Sequence, residues 1–598
     1  MSRQSKAAGG GPFDDEILGK AYDARLMAKL WAHAALYRRW VYGSIALFPA
    51  TALVELAQPY LVKMAIDDHI LRGDWTGLSG VAGLFLLSLG VLYALRAWQS
   101  YLMTSTGQQV MHDLRETLFR HVQRLDAAFF DKNPVGRLMT RILNDVEAVS
   151  DMFSSGLLAI IGDVVTLSGV VLVMLLMNWK LALVTFAVVP VLAVAATFFR
   201  SRARAAYREV RVRLARLNAF LQEAIQGVTV VQLFTKERQE AQSFQRLNAD
   251  HRRALFRSTT YDASLYAVVE AIGSVAVALL LWWGGGQVWE GTLTFGALVA
   301  FIEYTNRFYL PIRDAGAKYT VMQSAMASAE RIFGLLELRP AIRSPISPVG
   351  PRVLRGEIEF ARVWFAYRGE EWVLRDCSFR MAPGERVAIV GATGEGKSTI
   401  VKLINRSYDV SRGRLSLDGV DVREWELTTL RRQVGVILQD VFLFSGTVEA
   451  NLRLGNGHVS REVMERAAEM ANARAFIAAL PRGYQEEVRE RGANFSQGQR
   501  QLLAIARALV YDPAVLILDE ATSSVDPESE AMIQEALGRL LSGRTSLVVA
   551  HRLSTIKMAD RILVLHKGQV REEGTHADLL RQGGLYARLY ELQFGTAR

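Results

Sequence analysis

Lys397 follows glycines at 391, 394 and 396 and precedes two hydroxyl residues, Ser398 and Thr399. The full run is Gly391-Ala392-Thr393-Gly394-Glu395-Gly396-Lys397-Ser398-Thr399, with the apolar stretch 386–390 before it and a helical pattern after it. A strand–loop–helix of this type lets backbone N–H groups approach phosphate oxygens, and the helix N-terminus favours an anion. Lys397 suits the β/γ-phosphates, and the Ser398 hydroxyl suits a Mg2+ ion. A second run, Val515-Leu516-Ile517-Leu518-Asp519-Glu520, is four apolar residues ending in two acids. That is the pattern of a buried parallel strand with carboxylates at its C-terminal edge, where such sheets bind ligands. Asp519 is suited to hold Mg2+ through water, and Glu520, which points differently, to polarise an attacking water.

Asn494-Phe495-Ser496-Gln497-Gly498-Gln499-Arg500-Gln501 lies ahead of Asp519 and resembles the signature motif of ATP-binding cassette (ABC) proteins. The resemblance extends to Gln439 in Val-Ile-Leu-Gln-Asp, similar to the Q-loop, and to Ser523-Ser524-Val525-Asp526, similar to the D-loop. His551 resembles the switch histidine, and Tyr367 resembles the aromatic residue that stacks on adenine. A lone His551, Gln439 or Tyr367 is ordinary; only the joint spacing promotes them. The resemblance implies ATP and Mg2+ as cofactors and ATP hydrolysis as the activity. Glu520 and His551 would be catalytic, and Gln439 would join Ser398 and Asp519 around the metal. Tyr367, residues 391 and 393–399, Gln439, Ser496, Gly498, Gln499 and Asp526 would bind nucleotide. Ser496 and the Gly498 amide, at the start of a helix expected over 499–509, would meet a γ-phosphate held by a second cassette. Phe495 and Gln497 depart from the usual Leu-Ser-Gly-Gly-Gln, and this favours a heterodimer over a homodimer.

These groups need elements to position them. The 598 residues exceed one core, and the 51% hydrophobic content with mean hydropathy +0.14 demands long apolar runs. Six such runs, each near the ~20 residues needed to span a bilayer, lie at 41–65, 78–103, 152–179, 181–199, 264–289 and 295–312. The formal net charge of +10 fits either nucleic-acid binding or a membrane protein with its cations on the cytoplasmic side. The linkers 104–148 and 200–262 hold 6 and 13 Lys and Arg, whereas the loops 67–80, 178–180 and 290–294 hold only Arg72 and Lys180. This asymmetry excludes a nucleic-acid footprint and places both linkers and both termini in the cytoplasm of a cell's inner membrane. Segments 108–125 and 202–223 keep helical spacing, so the spans should continue ~30–35 Å beyond the bilayer. They reverse at 131–137 and 226–229, which carry the necessary breakers. Phe13-Asp14-Asp15-Glu16 stands where a signal peptide would be apolar, and 20–40 reads as an amphipathic surface helix. One cysteine, Cys377, rules out an intramolecular disulfide framework.

The expected organisation is a membrane domain over 1–340, a Pro- and Ser-rich linker over 341–352, and a cassette over 353–598. The fold class is a polytopic α-helical membrane domain of six transmembrane helices fused to an α/β P-loop NTPase. Six spans ahead of one cassette resemble an exporter-type half-transporter of the multidrug and lipid flippase class. That resemblance implies a second half-transporter as partner and export or flipping of a hydrophobic or amphipathic substrate. An ATP-gated channel or a regulatory protein is the alternative. Glu55, Asp163, Glu270 and Glu303 lie within spans with Arg307. They favour a cationic amphiphile, unless Glu303 pairs with Arg307 at i,i+4.

Overall fold

A computed structural model describes residues 23–350, 354–519, 527–550 and 553–595. The segment Phe13–Glu16 and the sites Glu520, Asp526 and His551 lie outside these described residues. The chain divides into two compact units. One holds the residues up to Gln123 together with Val135–Leu338, and the other holds Arg124–Pro134 and the residues from Arg339 on.

In the helical unit Asp23 caps α1 (Ala24–Ala34), its Oδ1 accepting the N–H groups of Arg25 at 2.8 Å and Leu26 at 3.3 Å. It is followed by α2 (Arg38–Met64) and the 48-residue α3 (Trp75–Val122). A short α4 (Ala127–Lys132) belongs to the other unit. Helical segments from Val135 lead into α5 (Leu157–Phe186). Then come α6 (Val189–Gln226), α7 (Val228–Leu233), the 53-residue α8 (Glu237–Trp289) and α9 (Phe295–Leu336). The long continuations follow from the unbroken helical spacing of 108–125 and 202–223. Arg257 on α8 reaches Glu209 on α6 at 2.9 Å, joining the two polar stretches.

Among the described residues four helical runs are long and apolar enough to cross a membrane by length and composition: Ala24–Ile70, Trp75–Val122, Val135–Phe186 and Glu237–Trp289. The other two apolar stretches lie in helices that fall short of this measure of apolarity among the described residues. Asn178 leaves the helical region at φ −160°, ψ 102°, and its Oδ1 accepts the N–H groups of Lys180 and Leu181 at 3.1 and 3.2 Å. This cap starts the stretch 181–199, which is then interrupted after Phe186 and resumes at Val189, with Pro190 in the first turn of α6. The stretch 295–312 lies within α9, where Glu303 and Arg307 lower its apolarity.

The intramembrane charges find partners on other helices. Arg307 donates to the Glu55 carbonyl at 2.5 Å and to Gln58 Oε1 at 2.9 Å, and Arg96 reaches Glu55 at 3.0 Å. The i,i+4 pairing of Glu303 with Arg307 therefore does not form. Asp163 pairs with Lys318. A charge left alone in hydrocarbon costs ~2.5–3.5 kcal/mol or more, so these cross-helix pairs offset a penalty that a single helix could not. Glu270 and Glu303 are exposed and have no ion-pair partner among the described residues.

The α/β unit has a six-stranded sheet whose β3 (Arg386–Val390), β5 (Val434–Ile437), β6 (Val515–Asp519), β7 (Thr545–Val549) and β8 (Arg561–His566) run parallel. The antiparallel β9 (Gln569–Gly574) closes one edge, and the order is β9-β8-β3-β7-β6-β5. Alternate residues serve opposite faces: Leu516, Leu518 and Val548 enter one core, while Val515, Ile517 and Leu547 enter the other. A second sheet holds β1 (Ile358–Ala366), β2 (Trp372–Met381) and β4 (Arg412–Leu417), with β1 in the middle. The segment after Leu338 docks on this unit, where Val349 donates to Glu424 O at 2.9 Å and Leu427 to Ser344 Oγ at 3.0 Å.

Cys377 on β2 is fully buried, and burial pushes its thiol up to about 12, with a smaller contribution from the Asp376 charge. At pH 7 the buried thiol is therefore protonated and unreactive. N-ethylmaleimide should leave the native chain unlabelled and modify it stoichiometrically after denaturation. Labelling of the native chain at the rate of a free thiol would contradict this.

Candidate active site

The parallel sheet gathers the chemistry at one edge. Val549 on β7 lies opposite both Ile389 on β3 and Asp519 on β6, and Leu518 lies opposite Ile437 on β5. The loop after β3, the carboxylate Asp519 and the Gln439 segment therefore leave the sheet at one level. Positions 520 and 551 directly follow the ends of described segments at Asp519 and Ala550. This is the C-terminal edge at which parallel sheets bind ligands.

The loop itself is shaped for an anion. Gly394 has φ +89°, with open space where a Cβ would stand, and Gly396 has φ +101°, with Leu374 Cδ2 2.8 Å from that position. A side chain at 396 would require both a strained backbone and a shift of the Leu374 side chain on β2. Helix α10 (Lys397–Ile404) starts directly after it, so its first N–H groups face the loop. Lys397 is 7% exposed, and its Nζ donates to the carbonyls of Gly391 at 2.7 Å and Ala392 at 2.8 Å. An ammonium held across a glycine loop at a helix N-terminus fits a triphosphate. Ser398 is exposed beside it, and its hydroxyl, the Gln439 amide oxygen and the Asp519 carboxylate are the hard oxygen donors that Mg2+ takes. Thr393 is exposed on the same loop. The Glu395 carboxylate accepts the Lys567 N–H and lies 3.3 Å from His566 Nδ1, so it is held by the β8–β9 turn.

Tyr367 ends the β1 side of the site, its hydroxyl 3.1 Å from Thr399 Oγ1. It borders an open cleft of about 510 Å³ also lined by Glu370, Trp372, Val373 and Arg375. Three residues that sequence reasoning missed surround it. The Tyr408 ring meets the Tyr367 ring at 5.2 Å between centroids, Lys402 Nζ lies 5.4 Å from the Tyr367 ring centre, and Asp131 accepts the Tyr408 hydroxyl at 2.5 Å. Burial, followed by this hydrogen bond, pushes the Tyr408 hydroxyl well above the usual tyrosine range. Nothing in the sequence links residue 131 to 408.

The signature helix begins earlier than the expected 499. Helix α11 spans Gln497–Tyr511 because Ser496 is its N-cap. Ser496 Oγ accepts Gln499 N–H at 3.2 Å, and Gln499 Oε1 accepts Ser496 N–H at 3.0 Å. The Gln499 side chain is thus engaged in the cap, and Gly498 is buried in the first turn. Phe495 is 6% exposed and packs edge-on to Phe476, so the departure at 495 belongs to the core. Arg507, also missed, extends from α11 to Asn451 O at 3.0 Å and Phe442 O at 3.1 Å, tying the segment after Gln439 to this helix.

Comparison with known proteins agrees with this geometry. Residues 41–312 match the ABC transporter transmembrane region, and residues 374–523 match the family described as ABC transporter. An ATP-dependent lipid A-core flippase of Syntrophus aciditrophicus is 37% identical over 93% of this chain and 92% of its own. A Bacillus subtilis protein, YgaD, whose name assigns it provisionally to multidrug export, is 36% identical over 93% of this chain and 97% of its own. The structure of a bacterial Atm1-family ABC exporter with ATP bound superposes with TM-score 0.78 at 29% identity, covering 94% of this chain and all of that one.

The chain belongs to the ABC transporter family. It is an ATP-binding, ATP-hydrolysing exporter whose helical half makes it a multi-pass membrane protein.

Proposed function

We propose that the chain is one half of a two-chain exporter that moves a cationic amphiphile, drug-like or lipid, outward by alternating access. The observation that carries the pairing is the α7 turn. Ile225, Val230, Leu233 and Phe234 are each more than half exposed there. The positive-inside reading puts this apolar surface, and both termini, in the cytoplasm, where water rather than lipid meets it. Contiguous apolar surface of that kind marks a protein contact. A second half-transporter covers it and brings its own signature helix to this P-loop. Gln497, in the first turn of α11 where the usual motif has glycine, favours a partner of different sequence.

Each assigned residue then has a task. Lys397 and the loop N–H groups hold the β/γ-phosphates, and Tyr367 stacks on the base. Ser398, Gln439 and Asp519 hold Mg2+, which when bound neutralises charge on the β/γ-phosphate oxygens. Glu520 orients water, and His551 and Asp526 complete the site. Binding draws the cassettes together and moves the long helices through the turns at 131–137 and 225–229; hydrolysis and product release reset them.

The substrate class rests on the charges in the spans. With Glu55 and Asp163 paired, Glu270 and Glu303 remain as exposed carboxylates, and a substrate cation neutralises them at lower cost than lipid would. ATPase activity in lipid vesicles, for the chain alone and with the product of the adjacent gene, tests the reading. Cationic amphiphiles should stimulate turnover several-fold, and Glu303→Gln should remove most of that stimulation. Stimulation by lipid headgroups irrespective of charge would favour a lipid flippase. Turnover without vectorial movement would favour the gated channel or regulatory protein.

A further inference from the structure

The Tyr367 ring is held by four groups. Its hydroxyl meets Thr399, its ring meets Phe365 at 4.8 Å and Tyr408 at 5.2 Å between centroids, and Lys402 lies against it. Tyr408 is itself fixed by its hydroxyl, which donates to Asp131 Oδ2, and Lys402 lies 3.6 Å from the same oxygen. Asp131 is contributed by α4, a helix distant in sequence from every cassette motif. It is half-exposed, and among the described residues none of its hydrogen bonds or ion pairs reaches the phosphate loop.

The two links differ in strength. An exposed ammonium–carboxylate pair at 3.6 Å contributes little. A hydroxyl donating to an ionised carboxylate at 2.5 Å is a strong, directional bond. The orientation of Tyr408, and through it the edge-to-face contact on Tyr367, therefore depends on the Asp131 carboxylate. An aromatic ring already held in its stacking orientation binds a base with less ordering cost.

We infer that Asp131 is a positioning residue for nucleobase recognition, holding Tyr367 through Tyr408. This rests on the assignment of Tyr367 as the base-stacking residue. By linkage, a base on Tyr367 strengthens the hold on α4 by the same factor that α4 strengthens the base.

The test uses the full chain in lipid nanodiscs, with equilibrium binding in EDTA of ATP and of inorganic tripolyphosphate, which has no base. Asp131→Ala and Tyr408→Phe should each weaken ATP about 5-fold or more and leave tripolyphosphate unchanged. The double variant should be no weaker than the weaker-binding single, because both remove one link. Tyr367→Ala should weaken ATP further, again sparing tripolyphosphate. If Tyr367→Ala weakens ATP and Asp131→Ala does not, the positioning role is overturned while base stacking stands. If Tyr367→Ala binds ATP normally, the stacking assignment fails, and the inference with it. Equal loss of ATP and tripolyphosphate in Asp131→Ala would overturn the inference as a general loss of structure.

Discussion

Glu520→Gln is expected to lower ATP turnover by about 10²–10⁴-fold, the range for loss of a positioned general base, while leaving ATP binding intact. Strand β6 delivers Asp519 to the sheet edge opposite Val549, and position 520 is the next residue along the chain. Successive side chains of an extended strand point to opposite faces, which is what the pairing of one acid with the metal and the next with the water requires. Glutamine preserves size and hydrogen bonding but cannot accept a proton. ATP should therefore accumulate unhydrolysed, with the two cassettes held together. Phosphate release, bound-nucleotide stoichiometry and particle size measure the three consequences. Turnover at the unmodified rate would remove Glu520 from the reaction.

Lys397→Ala should abolish turnover through binding rather than chemistry. The ammonium is almost fully buried and lies within 2.8 Å of two loop carbonyls, so its charge is fixed where phosphate oxygens would arrive. Truncating one partner of a buried charged contact costs about 2–5 kcal/mol, so ATP affinity should fall about 30-fold or more. The variant also leaves the carbonyls of Gly391 and Ala392 without this donor, and some loss of thermal stability should accompany it. Adenosine binding separates the two effects. Adenosine meets the Tyr367 side and no phosphate contact, so its affinity should be nearly unchanged. If ATP affinity were also unchanged, Lys397 would have no part in holding phosphate.

Part of this architecture was legible because it is local. The phosphate loop, the acidic strand end and the signature helix are each contiguous, and the apolar stretches are contiguous runs of the required length. Even here the caps altered the reading. Ser496 starts its helix at 497 and not at the expected 499 because its own hydroxyl satisfies an N–H group, and the stretch 181–199, which reads as one span, is interrupted between Phe186 and Val189. Phe495 read as a possible fault in the signature, and it proved to be a core residue against Phe476.

By itself, then, the sequence determined the membrane half and the cassette half, and it singled out the glycine loop and the acidic strand end that the sheet brings to one edge, because spacing along the chain dictates which N–H groups and side chains converge. Only the tertiary structure decided how charges are neutralised and how the aromatic site is supported. Arg307 chooses Glu55 across 252 residues and not Glu303 one turn away, and Tyr408 chooses Asp131 across 277. No periodicity encodes such pairs. They form because burying a charge or a hydroxyl is costly unless a partner is within reach, and which partner is within reach depends on how the helices pack.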